Sequence, residues 1–206
     1  MLVTFEGIEG SGKSTQAALL HKNLIQNNIP NILTREPGGT DVAEEIREIL
    51  INGSITKMDG ICETLLNYAA RRNHIETLIK PELAKNKIVI CDRFFDSTTA
   101  YQGYGHGVNL ETIEQIRKSS IGNFQPNLTF LFNISVNDAF ARISKRQENN
   151  RYEEMDLDFH QRIHNGFSKI AKLPENSSRF ILIDATKPLE ELEHDILSVI
   201  LQKIGS

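Results

Sequence analysis

Residues 7–15, GIEGSGKST, combine glycines, a lysine and hydroxyl side chains at spacings that suit phosphate. Gly7, Gly12, Lys13 and Ser14 fit the pattern G-x-x-x-x-G-K-[ST]. The glycines let the backbone curl so that successive N–H groups face one phosphate. A helix starting here adds the positive end of its dipole. Lys13 is then placed to reach the β- and γ-phosphates, and Ser14 to ligate Mg²⁺. One residue runs against this reading. Glu9 puts a carboxylate inside a loop built for anions.

Other chemistry-bearing residues follow at the ends of apolar runs. The stretch 91–107 begins CDR, and an apolar run ending in Asp92 is the expected place for an acid that organises a metal. Asp92 next to Arg93 also occurs as a plain salt bridge. Ser97, Thr98, Tyr101 and Gln102 then cluster hydrogen-bonding groups on a helical turn, suited to a nucleoside; Tyr101 and Tyr104 also serve as packing residues in such turns. TREPGGT (34–40) offers Arg35 to a phosphate, and Arg47 in the helix after it reads as a surface residue. Of Arg71 and Arg72, one should face the cleft and the other solvent. The loop itself has no arginine, because Gly10 stands where some phosphate-transferring enzymes place one. Positive charge must come from elsewhere, and the charged run 145–154 supplies Lys145, Arg146 and Arg151, with Arg142 just before it. A lid that closes would bring these in.

The elements that must position these groups are legible in the apolar pattern. Strands are expected over 2–5, 31–34, 87–91, 128–134 and 179–184. The third and fifth are nearly continuous in apolar residues, the pattern of strands buried on both faces. Ala17, Leu20 and Leu24, and likewise Leu189, Leu192, Ile196 and Val199, recur at helical spacing. Ser135 and Asp138 read as a capping box opening a helix over 136–147, and Thr186 with Pro188, Glu190 and Glu191 opens the last one. Pro81 is expected to kink or break a helix over 58–86. The polar run 145–154 reads as an exposed loop. Strand alternating with helix predicts an α/β fold, a five-stranded parallel sheet covered by helices on both faces. The whole chain, 1–206, reads as a single domain with a phosphate loop at 7–15 and a lid at about 143–154.

Composition narrows the classes. The 206 residues are 39% hydrophobic and 24% charged, enough for one sizeable core. A net charge of −4 gives no basic footprint for nucleic acid. Two cysteines, Cys62 and Cys91, make a disulfide framework improbable. No apolar stretch approaches the ~18 residues of a membrane span, and the cytoplasm is the expected compartment. A regulatory GTPase would need N-K-x-D after a later strand, and FNISVNDA (132–139) has none. A kinase acting on a hydroxyl needs a general base. A kinase acting on a monophosphate needs instead arginines that hold an acceptor whose oxygen is already largely ionised near pH 7. Arg35, Arg71 and Arg93 favour the latter; a deoxynucleoside kinase or another nucleoside monophosphate kinase is the alternative.

FEGIEGSGKSTQ (5–16), TREPGGT, YAAR (68–71), DRFFDSTTAYQG (92–103), RQENNR (146–151) and DAT (184–186), in this order, resemble the bacterial thymidylate kinases along nearly the whole chain. That resemblance implies the P-loop fold of nucleoside monophosphate kinases and the reaction of ATP with dTMP to give ADP and dTDP, with Mg²⁺. It implies a homodimer packed through helices. It assigns ATP to Gly7, Ile8, Glu9, Gly10, Ser11, Gly12, Lys13, Ser14, Thr15 and Arg142, with the DAT turn bordering the adenine through backbone groups. It assigns the dTMP phosphate to Arg93 and Arg35, the thymine edge to Arg71, the base to Thr98 and Gln102 and the deoxyribose to Tyr101, with Ser97 in the same site. Asp92 and Ser14 would organise Mg²⁺, Arg146 and Arg151 would stabilise the transferring group, and Glu9 would accept a hydrogen bond from the 3′-hydroxyl. One position departs: Asn67 stands where a phenylalanine often stacks on thymine, so either Tyr68 or another aromatic covers the base or the stacking is weaker.

Overall fold

The computed structural model describes residues 1–51, 58–144, 152 and 155–205. Among these, the apolar runs become five parallel strands, β1 (Leu2–Glu6), β2 (Asn31–Arg35), β3 (Ile88–Asp92), β4 (Leu128–Asn133) and β5 (Phe180–Asp184), in the spatial order β2-β3-β1-β4-β5. Parallel neighbours cannot be joined by a tight turn, so the chain crosses over through helices. The crossovers carry α1 (Lys13–Gln26), α2 (Asp41–Ile51), α3 (Gly60–His74), α4 (Lys80–Ala84), α5 (Phe95–Thr98), α6 (Leu110–Ile121), α7 (Val136–Ile143) and α8 (Leu157–Ala171), and α9 (Leu189–Gly205) follows the last strand.

Alternation along the central strands divides the core in two. Val3, Phe5, Ile88 and Ile90 pack with α1, α8 and α9, whereas Leu2, Val89 and Cys91 pack with α3 and α6. Successive side chains of a strand point to opposite faces, so helices must cover both. The fifth strand differs from expectation. Although nearly all apolar, β5 is a sheet edge, and Leu182 is 64% exposed. A short apolar run does not by itself tell a central strand from an edge one.

Caps close the helices as the sequence indicates. The Ser135 hydroxyl accepts from the Asp138 N–H and donates to its carboxylate. Asp59 caps α3 by accepting from the Cys62 N–H. Pro81 does not break its helix. The chain runs on from α3 into α4 through a wider π-helical stretch, Ile75–Ile79, which meets the proline's missing donor and bulky ring. A second π-helical stretch, Thr99–Gly105, continues α5. Among the described residues no helix is long and apolar enough to cross a membrane.

Candidate active site

The phosphate loop forms where β1 ends and α1 begins. Gly12 adopts φ 92°, a left-handed conformation that costs a side-chain-bearing residue strain, and Lys13 opens the helix directly after it. Gly10, at φ 73°, lies against α7: a Cβ there would come within 2.5 Å of the Ala139 carbonyl oxygen. The Lys13 ammonium donates to the Ile8 carbonyl at 3.2 Å. Burial, with the like charge of Arg93, lowers its pKa to about 8, against the pull of Asp92, Glu9 and Glu6. Gly10, Gly12, Lys13, Ser14 and Thr15 wall a cavity that Arg35, Arg47 and Asp92 close from the far side. Asp92 Oδ1 is buried there without a hydrogen bond among the described residues. Arg35 is paired with Glu44 at 2.9 Å at the cavity's open rim.

The ends of β1 and β3 are neighbours, and the Arg93 N–H donates to the Phe5 carbonyl at 2.9 Å. Arg93 takes φ 70°, a strained value for a residue with a side chain. Its guanidinium donates to the Gly7 carbonyl, to Ser97 Oγ, to Tyr101 Oη and, at 2.8 Å, to Glu9 Oε1. Glu9 lines the loop cavity as well, but its carboxylate is held by Arg93 and its other oxygen accepts from the Tyr101 hydroxyl. Burial pushes the Glu9 carboxyl up, but Arg93, Lys13 and Tyr101 outweigh it and hold it below the usual carboxylate range. Among the described residues Arg93 pairs with Glu9 and not with Asp92, its guanidinium being bonded to these four groups.

Beneath Arg93 lies an acid that sequence reasoning did not single out. Glu6, fully buried at the end of β1, accepts from the Phe94 and Ser97 N–H groups and, at 2.5 Å, from the Ser97 hydroxyl. It therefore caps α5 and fixes the turn that carries Arg93. Burial, with Asp96 nearby, pushes its carboxyl up to about 8, although Ser97, Arg93 and Phe94 favour the ionised form. The folded state then holds a proton that the unfolded chain releases near its ordinary value of 4.5. Stability from this site is full below about 4.5 and declines as pH rises to about 8. Glu6→Gln is expected to flatten that decline, which thermal melts of both proteins across the interval would read.

A second cavity opens on the other side of Glu9 and Arg93. Arg71 is wholly buried in its wall, donating to Glu36 Oε2 at 2.6 Å and to Thr98 Oγ1 at 3.1 Å. His74 holds the other Glu36 oxygen at 3.0 Å, and Thr34 meets the far side of the imidazole. Arg72 points to the surface beside Glu76. Ser97, Thr98, Tyr101 and Gln102 line the cavity. Arg47 does too, which corrects its reading as a surface residue: its guanidinium donates to the Pro37 carbonyl and faces both cavities. Tyr68 is buried in the core rather than on the wall, so it does not stand in for the aromatic missing at Asn67. Phe94, Tyr101 and Tyr152 supply the aromatic surface instead. Tyr152, within the run expected to be an exposed loop, packs edge-on against Tyr101 at 5.5 Å.

The remaining predicted residues lie elsewhere. Arg142 donates to the Ala185 carbonyl in the DAT turn, at 2.8 Å. Ser11 is buried under the loop. Lys145, Arg146 and Arg151, with most of the expected lid, fall outside the described residues. Besides Glu6, sequence reasoning missed Glu36 and Glu63. A carboxylate embedded in a motif or in a helix face looks solvated until the chain closes around it. Glu6 alone left a trace, as a charge ending an otherwise apolar strand.

A parallel five-stranded sheet with a phosphate loop after its central strand, and an arginine-rich cavity beside it, defines a P-loop fold of the nucleoside monophosphate kinase kind. The thymidylate kinase family model matches residues 5–196, and the chain belongs to that family. It is 40% identical over 203 residues to a thymidylate kinase of Bacillus pumilus (strain SAFR-032), covering 97% of this chain and 94% of that one. With the thymidylate kinase of Chlorobium chlorochromatii (strain CaD3) it shares 42% over 211 residues, 96% of this chain and 93% of the other. The crystal structure of thymidylate kinase from Ehrlichia chaffeensis superposes with a TM-score of 0.76 at 37% identity, covering 97% of this chain and 98% of that one.

Proposed function

We infer that this chain is a dTMP kinase: it transfers the γ-phosphoryl group of ATP to dTMP, giving ADP and dTDP on the way to dTTP. The observation that carries this most directly is the shared wall of the two cavities. Glu9, Glu36, Arg47 and Arg93 line both, so a phosphate held by the loop and a phosphate on a ligand in the second cavity would meet at Arg93. ATP phosphates lie along Gly10–Thr15, with Lys13 reaching the transferring group. Arg93 and Arg35 hold the acceptor phosphate, Arg71 and Thr98 the base edge, and Tyr101 the deoxyribose. Arg146 and Arg151 supply charge to the transferring group, and Arg142 with the DAT turn borders the adenine. The whole chain acts as one kinase domain.

A Mg²⁺ ion fits the loop cavity. Asp92 presents a buried oxygen without a hydrogen bond, and Ser14 lines the same wall. When bound, the ion neutralises charge on the β- and γ-phosphate oxygens. The chain's own residues align the acceptor. Its nucleophile is a phosphate oxygen, so no general base is required.

ADP release with dTMP, other monophosphates and thymidine tests the function. Turnover of thymidine but not dTMP would move the chain to the deoxynucleoside kinases. Glu9 is expected to contact the sugar. Glu9→Ala should raise KM for dTMP roughly tenfold, the scale of one charge-assisted hydrogen bond, and leave KM for ATP nearly unchanged. The opposite pattern places the carboxylate on the ATP side. The chain acts as a homodimer through α2, α3 and α6, which pack side by side and leave Val42, Ile49, Ile61, Leu65 and Leu110 exposed. Sedimentation equilibrium should give a dimer that Leu65→Glu weakens; a wild-type monomer at every concentration overturns this.

A further inference from the structure

Glu63 is absent from the wall of either cavity and has no role in the chemistry above. It is nonetheless fully buried in α3, and its Oε2 gathers two donors that belong to the second cavity. Gln102 Nε2 donates to it at 2.9 Å and the Tyr152 hydroxyl at 3.1 Å. A carboxylate accepts and never donates, so the Gln102 amide must turn its NH₂ toward Glu63. Its oxygen then has no hydrogen bond among the described residues, and Gln102 lines the cavity.

Asn67 is set the same way. Its Nδ2 donates to the Glu63 backbone carbonyl at 2.8 Å, so its oxygen is the group left to accept, and Asn67 lines the cavity. Arg71 supplies the complement. Its Nε and one terminal nitrogen are bonded to Glu36 and Thr98, and the other terminal nitrogen carries no hydrogen bond among the described residues. Thr98 and Gln102 are four residues apart on one helical run, so the donor at Arg71 and the acceptor at Gln102 belong to one patch of wall.

A donor beside fixed acceptors matches a pyrimidine with a 4-oxo group next to N3–H. It opposes a 4-aminopyrimidine, whose N3 is an acceptor and whose exocyclic group is a donor. We propose that Glu63 is a positioning residue for base selection: by fixing the Gln102 amide it makes the cavity accept a 4-oxopyrimidine deoxynucleotide and reject a 4-amino one. This rests on the dTMP kinase reading. It adds that selectivity is held by a carboxylate that touches no substrate. Sites that hydrogen-bond a substrate group reject ligands lacking it far more strongly than apolar pockets discriminate by size.

The test compares kcat/KM for dTMP and for dCMP. In Glu63→Leu the amide is free to rotate, and the dTMP:dCMP ratio should fall at least ~10-fold while KM for ATP holds. In the double variant Glu63→Gln/Gln102→Glu, donor and acceptor exchange places but an acceptor still faces the cavity. Its ratio should return to within a few-fold of wild type. A purely structural role would lower turnover of both nucleotides together; an unchanged ratio in folded Glu63→Leu, or no recovery in the double variant, overturns the proposal. Should Glu63→Leu not fold, the double variant alone decides. A wild-type protein that does not turn over dTMP would instead remove the functional reading.

Discussion

Lys13→Ala is expected to lower kcat by about 10³-fold or more while the protein melts no earlier than wild type. Removing one preorganised charge aimed at developing negative charge costs on that order. The second half of the expectation comes from burial. Lys13 stands at the start of α1 with one modest hydrogen bond, close to the like charge of Arg93, and its pKa falls to about 8. Its charge is a burden to the fold that a bound polyphosphate would relieve. Deleting it removes that burden along with the catalysis. Steady-state turnover and thermal melting check both halves; retained turnover contradicts the role of the loop, and a large loss of stability contradicts the electrostatic account.

Arg71→Ala has the opposite profile, because its main effect is on the fold. The Arg71 and Glu36 side chains are 2% and 3% exposed and meet at 2.6 Å. Taking away one partner leaves a buried carboxylate whose remaining charge-capable hydrogen-bond partner among the described residues is His74. Breaking such a pair costs about 3–5 kcal/mol. Chemical denaturation should show that loss. The same change in a Glu36→Gln background should cost much less, since no charge is then stranded. A loss under ~1 kcal/mol in the single variant means that His74 and water compensate fully. Where the variant stays folded, KM for dTMP should also rise, since Arg71 walls the second cavity.

The framework was the legible part. Each strand lies within one residue of its apolar run, and the loop residues lie at the strand–helix junction where their spacing put them. Burial was harder. The run 179–184 looked central because apolar residues fill it, but its position at the sheet edge depends on the crossover connections, which lie outside the run. Arg47 looked like a surface residue for the converse reason, since its neighbours on α2 are charged while the cavity it faces is built by other segments. Pro81 announced a kink or a break and received a wider turn, with Ile75, Ile79 and Leu83 packed into the core on both sides of it. The acids Glu36 and Glu63 were invisible, and Glu6 nearly so, for a shared reason. Each holds donors contributed from thirty or more residues away, and such closure leaves no local pattern.

Gly10 has a consequence for how this loop can change over time. A Cβ there would collide with the Ala139 carbonyl of α7, and the backbone is already in the left-handed region. The place where an arginine could serve the loop directly is filled by a helix. An arginine acquired at position 10 would have to push α7 aside, and α7 leads straight into the segment that carries Arg146 and Arg151. A side chain at position 10 therefore cannot be added without disturbing the helix that precedes the arginine-bearing segment. A lineage can hold either, but the path between them runs through a protein that has damaged one before it has gained the other.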